Sequence, residues 1–477
     1  MRKSLMFAVA FMSTFSVGAE TVVPASAVKS LNVTVYNNGL GLIKDTRAVA
    51  FKKGDNTLSF TGVSARIQPE TALFSANGVG VREQNFNYDL ISRESLLQKF
   101  LGKKIKVVST NPATGAETIE TAEVLSVDAG LVLKIGDRIE TDSTARLIFP
   151  DIPENLRDKP TLTLDVVSDK EGPQTATLGY LTDGLSWRAD YVAELNDAEN
   201  AIALNGWVTM TNETGADYIN ADVGFVAGTV NRVRPRARKM QTKGMMLDAM
   251  SNSAALIEGM REEALMDYHL YSLDRKTTIL SKQSKQLALL SAPNAAAEKK
   301  YVFENIVPPY GSLSGGVFDT RSAAVRLTFK NDKASRLGLP LPEGTVRVYK
   351  ADSKGRLFFV GEDRIRHTPE NETVGLSLGE AFDITASGKR TAFKKAAATE
   401  MNSRLEPVAL SDSTFEITFK NAKDKPAKIE YVQLFPDNRT LVSSSDKEKQ
   451  DGRNKVWTLT VPAKGEKKLT LVIRSEK

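Results

Sequence analysis

Cysteine is absent from the 477 residues, and histidine is nearly so, with only His269 and His367. Without cysteine the chain has no disulfide framework, no thiol nucleophile, no thiolate metal site and no acylated lipoprotein cysteine. Two histidines rule out three-histidine zinc sites and helices of the His-Glu-x-x-His type. No stretch beyond the N-terminus is long and apolar enough to span a bilayer, which takes about 20 residues. Charge of one sign is also scarce. The net charge is +6, and it falls to +4 once Arg2 and Lys3 are discounted, too mild a balance to point to nucleic acid.

Arg2 and Lys3 are discounted because residues 1–19 read as a removable signal. Positive charge is followed by an apolar core, Leu5–Phe15, and a small-residue site, Val17-Gly18-Ala19, before Glu20. An exported chain without cysteine fits a Gram-negative periplasm, so a periplasmic or secreted envelope protein is expected. Ser13, Thr14 and Ser16 interrupt the core and argue against a retained anchor.

The length exceeds what one core supports, so several domains are expected. The best-specified stretch is Leu178–Leu195. From Trp187 onward, Ala189, Tyr191, Ala193 and Leu195 fall on one side and Arg188, Asp190 and Glu194 on the other, which is the period of a half-buried strand. Asp183-Gly184 before it reads as a hairpin turn. Alternation also marks residues 20–91, a central region from 151 to 230 that resumes over 301–390, and strands over 391–477. In Ile202–Thr211 the apolar face is Ile202, Leu204, Val208 and Met210, with Trp207 opposite. Ser92 caps a short helix bearing Leu96, Leu97 and Phe100 and ended by Gly102, which leads into closely spaced strands up to residue 150, read as a small barrel. Residues 231–300 break the pattern. They carry a basic run, Arg232–Lys239, six of the eleven methionines between Met240 and Met266, and helical spacing of Leu256, Met260, Ala264, Tyr268 and Tyr271. The expected fold is therefore mainly β, with multi-domain sandwiches, a small inserted barrel and a partly helical or disordered insert.

Chemistry-bearing patterns are few. Gly311-Ser-Leu-Ser-Gly315 lacks the order of a serine elbow, and Ser444-Ser-Asp-Lys447 lies in a charged turn. His367 reads as a surface histidine. Met240, Met245, Met246, Met250 and His269 are soft enough for Cu(I), yet methionine equally suits a loosely packed contact segment, so neither a metal nor a cofactor is expected. Asp183, Asp190 and Glu194 flank aromatics, as in sugar sites, although a turn and a solvent-facing strand already account for them. The binding candidates are Trp187, Tyr191, Trp207, Asp183 and Asp190.

Leu178–Leu195, Asn212-Glu-Thr-Gly-Ala-Asp-Tyr218, Leu341-Pro-Glu-Gly-Thr-Val-Arg-Val-Tyr349 and Gly379-Glu-Ala-Phe-Asp383, in that order, resemble a bacterial domain-of-unknown-function family that includes the mucoidy-inhibitor-A proteins. The resemblance implies an envelope β-sandwich with no established catalytic activity. It casts Trp187 and Tyr191 as core aromatics, Gly215 as a turn residue and Asp217 as bonding within that turn. This chain lacks the heptad segment of the mucoidy-inhibitor branch and carries the Met-rich insert instead. The expected function is binding or scaffolding in the envelope, through protein or polysaccharide contacts, with no nucleic acid and an open oligomeric state. The alternative is a hydrolase of carbohydrate using paired carboxylates.

Overall fold

A computed structural model describes residues 20–128, 130–141, 145–153, 156–228, 230–231, 260–266, 268–310, 316–396 and 410–476. The expected signal, the serine-elbow look-alike, the basic run and Met240–Met250 lie outside these residues. Strands make up 68% of the chain and helix 4%, so the mainly β expectation holds. The chain divides into two compact units. The first comprises residues 1–187, 210–226 and 275–285, and the second comprises 188–209, 227–274 and 286–477.

In the first unit, strands Val28–Tyr36, Leu40–Phe51 and Gly172–Asp183 are adjacent in one sheet, with antiparallel pairings such as Val33↔Ile43 and Tyr180↔Ile43. Tyr218–Ala227 joins it in parallel through Val223↔Val33. A second sheet contains Gly54–Thr61, Thr161–Ser168 and Val79–Asn87. Alternation places Val33, Val35, Ile43, Leu58, Phe60, Leu162 and Leu164 in the interior. The helix Arg93–Lys99 begins as expected, with Ser92 accepting from Ser95 N–H. It packs Leu97 and Phe100 on Ile105, Val107, Val124 and Leu133. The strands behind it form a five-stranded sheet. In order across the sheet these are Arg138–Thr141, Val132–Ile135, Glu117–Ser126, Lys104–Thr110 and Arg146–Ile148, and a pairing of the two outer strands is not among the described contacts.

Asp183-Gly184 does not close a hairpin. Gly172–Asp183 pairs with Leu40–Phe51, whereas Leu185–Leu195 pairs with Gly344–Ala351 in a different sheet. Gly184 sits at φ +90°, where a Cβ would lie 2.9–3.1 Å from Arg66 and Glu213 atoms, so the chain is redirected sharply at the one residue type that fits.

The second unit is built on a thirteen-stranded sheet system. Leu357–Ile365, Gly344–Ala351, Leu185–Leu195, Ala201–Asn212 and Gln283–Glu304 follow one another across it. The C-terminal strands Leu410–Asn421, Ala427–Leu434, Asn454–Val461 and Gly465–Glu476 bury Phe415, Ile417, Phe419, Tyr431, Trp457 and Leu471. Tyr431 and Trp457 stack at 5.4 Å there.

The expectation for 231–300 is corrected over its described part. Met260–Leu265 and Tyr268–Leu273 form an antiparallel strand pair, not an amphipathic helix, and Thr277–Ile279 and Gln283–Glu304 are strands too. Ala and Lys have low strand propensity, which hides the signal. Burial of Leu287, Leu289, Ala292 and Ala295 against neighbouring strands overrides it.

Candidate functional site

The five candidate residues part company. Trp187 and Tyr191 point to the buried side, as their alternation requires. Trp187 packs against Phe225 and donates its indole N–H to Val226 O at 3.2 Å. Tyr191 is fully buried, donates its hydroxyl to Pro342 O at 2.9 Å, and burial holds that hydroxyl well above the usual phenol range. Both are core side chains and present no surface. Asp183 is exposed and accepts from Gln68 Nε2 at 3.1 Å. Asp217 bonds outside its turn, accepting from Ser281 N–H at 2.7 Å, while Gly215 has the left-handed φ of +80° expected of a turn residue.

Asp190 and Trp207 lie together on the outward face of the second unit's sheet. Asp190 is not a solvent-facing acid, since only 8% of it is exposed. Its Oδ2 accepts from Thr209 Oγ1 at 2.7 Å and Arg188 Nε at 3.1 Å, and its Oδ1 from Arg347 Nη1 at 3.2 Å. Arg347 also reaches Glu362 at 3.2 Å. Partial burial pushes the Asp190 carboxyl up. The hydrogen bonds from Thr209 and Arg347 and the two arginine charges outweigh it, and the group ends below the ordinary aspartate value.

Two residues from Thr209 on the same side, Trp207 is 38% exposed. The exposed Asn205 next along that face accepts from Ser291 Oγ at 2.7 Å, and the exposed Gln286 donates to Thr209 at 3.3 Å. Across the sheet, Tyr349 follows Arg347 on the same face and meets the exposed Phe359 edge-on at 5.7 Å. The result is an open sheet face carrying one indole, one aromatic pair, amides, a hydroxyl and fixed guanidinium groups. Reading Leu185–Leu195 alone misses Thr209, Arg347, Tyr349 and Gln286. Alternation within Gly344–Ala351 was the signal that places Thr345, Arg347 and Tyr349 together.

Asp190 and Glu194, the strand acids that the sequence offers, do not have the spacing of a catalytic carboxylate pair. Glu194 lies four residues along the strand from Asp190, about 13 Å away on a 3.3 Å rise. Paired glycosidase carboxylates stand roughly 5–9.5 Å apart. Among the described residues no group of three His, Asp or Glu side chains gathers as a metal site, and no helix is long and apolar enough to cross a membrane. His367 is exposed, as expected, and its Nδ1 accepts from Glu343 N–H at 3.1 Å. No family model matches the chain, and no curated protein matches it significantly.

Proposed function

We propose that this protein is a binding and scaffolding component of the cell envelope that contacts protein or polysaccharide through the outward sheet face around Trp207. The observation that carries this reading is the division of labour on that face. The acid best placed for proton transfer, Asp190, already has both oxygens engaged by three donors, while Trp207 stays exposed among hydrogen-bonding side chains. An indole beside amides and guanidinium groups offers an apolar platform with directional polar contacts, which suits recognition on a rigid β scaffold. The signal-like first 19 residues and the resemblance to the mucoidy-inhibitor-A family support an envelope setting. Retention of the purified chain on insoluble envelope material tests the proposal. Wild type is retained, Trp207→Ala passes through, and folded Asp190→Asn is retained. Release of new glycan ends by wild type, lost in Asp183→Asn or Asp190→Asn, would establish the hydrolase reading in its place.

A further inference from the structure

Three Asn-Gly pairs occur in the chain, Asn38-Gly39, Asn77-Gly78 and Asn205-Gly206, and the fold treats each differently. The pair is chemically self-reactive. With no Cβ to shield it, the glycine N can swing onto the asparagine side-chain carbonyl, provided the peptide between them is free to rotate. Asn205-Gly206 lies inside strand Ala201–Asn212, which has a bonded neighbour on either side, and Asn205 Oδ1 accepts from Ser291 Oγ at 2.7 Å. Gly206 is buried, and a Cβ there would stand 2.9 Å from Leu290. That peptide has no room to turn. Asn38 Oδ1 is buried without a hydrogen-bond donor among the described residues, so negative charge forming on that oxygen would go unstabilised. The Gly39 carbonyl is also held, by Gly184 N–H at 3.3 Å.

Asn77 and Gly78 are the two residues that join strand Leu73–Ala76 to strand Val79–Asn87. Asn77 is exposed, and among the described residues no hydrogen bond holds its side-chain amide or the Gly78 N–H. Gly78 takes a φ of +71°, and its carbonyl accepts from Asp169 N–H at 2.9 Å, which anchors only the far side of the turn. The two strands do not pair with each other. Phe74 pairs with Leu178 in one sheet and Val79 with Ser168 in the other, and each strand is the last in its row. A hairpin turn is braced by the ladder between its own arms. This turn joins arms that belong to separate sheets, so no ladder bond restrains the Asn77–Gly78 peptide.

We infer that Asn77 is a site of spontaneous deamidation in the folded protein, turning into aspartate and isoaspartate and loosening the edge that its turn ties together. Gly78 N attacks Asn77 Cγ and passes its proton to water, the Cγ–Nδ2 bond breaks, and ammonia leaves a succinimide ring behind. Water then opens the ring at either carbonyl, with no oxidation or reduction. Opening at the backbone carbonyl gives isoaspartate, which adds a methylene to the main chain between the two sheets. The test is incubation of the full chain in mildly alkaline buffer, followed by peptide mass analysis beside a sample that was not incubated. Trypsin places the three asparagines in separate peptides, 30–44, 67–82 and 189–232. In the folded chain Asn77 converts about tenfold or more faster than Asn38 or Asn205, a factor equal to about 1.4 kcal/mol in the local opening each needs. In denaturant the three rates converge. Hydrogen exchange over residues 73–81 quickens in incubated wild type and stays unchanged in incubated Asn77→Gln, whose longer side chain closes such a ring far more slowly. An intact 67–82 peptide, equal or faster conversion at Asn38 or Asn205 in the folded chain, rates that stay apart in denaturant, or exchange over 73–81 unmoved by incubation each overturns the assignment.

Discussion

Replacing Asp190 with Asn separates a structural acid from a reacting one. The substitution keeps an acceptor for Thr209, which donates at 2.7 Å, but removes the charge facing Arg188 and Arg347 and turns an amide N–H₂ toward one of them. A hydrogen bond to a charged group contributes about 1.5–3 kcal/mol when shielded. Here the Arg188 and Arg347 side chains are 66% and 39% exposed, so their pairings fall toward the range of about 0.2–1 kcal/mol for open ion pairs. The sum is a loss of about 1–2 kcal/mol, or roughly 2–8 °C in the melting of a unit of this size. The sign with pH is fixed by the direction of the shift. A carboxyl held below its ordinary value stabilises the fold above the unfolded aspartate value, about 3.9, and loses that contribution as pH falls through the lower folded value. The gap between wild type and Asp190→Asn in thermal unfolding is therefore full at neutral pH and closes only below about pH 4. Equal stability at neutral pH, or a gap that widens on acidification, would refute the reasoning.

Two further perturbations probe the first unit. Arg47, 1% exposed, bonds Asp45 at 2.6 Å and the carbonyls of Val23 and Thr61. Arg47→Leu leaves Asp45 buried without its counterion, and denaturant unfolding is expected to show a loss of about 3–5 kcal/mol, partly recovered in Asp45→Asn/Arg47→Leu. Ser92→Ala removes the hydroxyl that accepts from Ser95 N–H and leaves the Ser92 N–H bond to Ser95 Oγ, costing about 1 kcal/mol, seen as faster amide exchange over Arg93–Lys99 without global unfolding.

Much of the fold is legible where local rules agree. Ser92, Leu97 and Gly102 announce one helix, and the alternation of Phe415, Ile417 and Phe419 announces a core strand. Local rules fail where distant residues decide. Asp183-Gly184 has the composition of a hairpin turn, but the pairing of Leu40–Phe51 with the strand before it takes that strand elsewhere. Asp190 reads as solvated because its partner Arg347 is 157 positions away. Residues 260–300 read as loop or helix because Ala, Lys and Gln suit strands only once neighbours cover Leu287 and Leu289. Trp207, opposite an apolar face, was correctly placed by periodicity, but the polar company it keeps was not.

The interleaving of the two units has a consequence for biosynthesis. The first unit draws strand Tyr218–Ala227 and residues 275–285 from late in the chain, and the second begins inside Leu185–Leu195. A growing polypeptide cannot finish the early unit as it leaves the ribosome, and must hold unpaired strand edges open until nearly three hundred residues have emerged. Cutting the gene at any single point between the two halves yields fragments that each lack strands of their own sheets, so a holdase during synthesis has more to protect here than in a chain whose domains follow one another like beads.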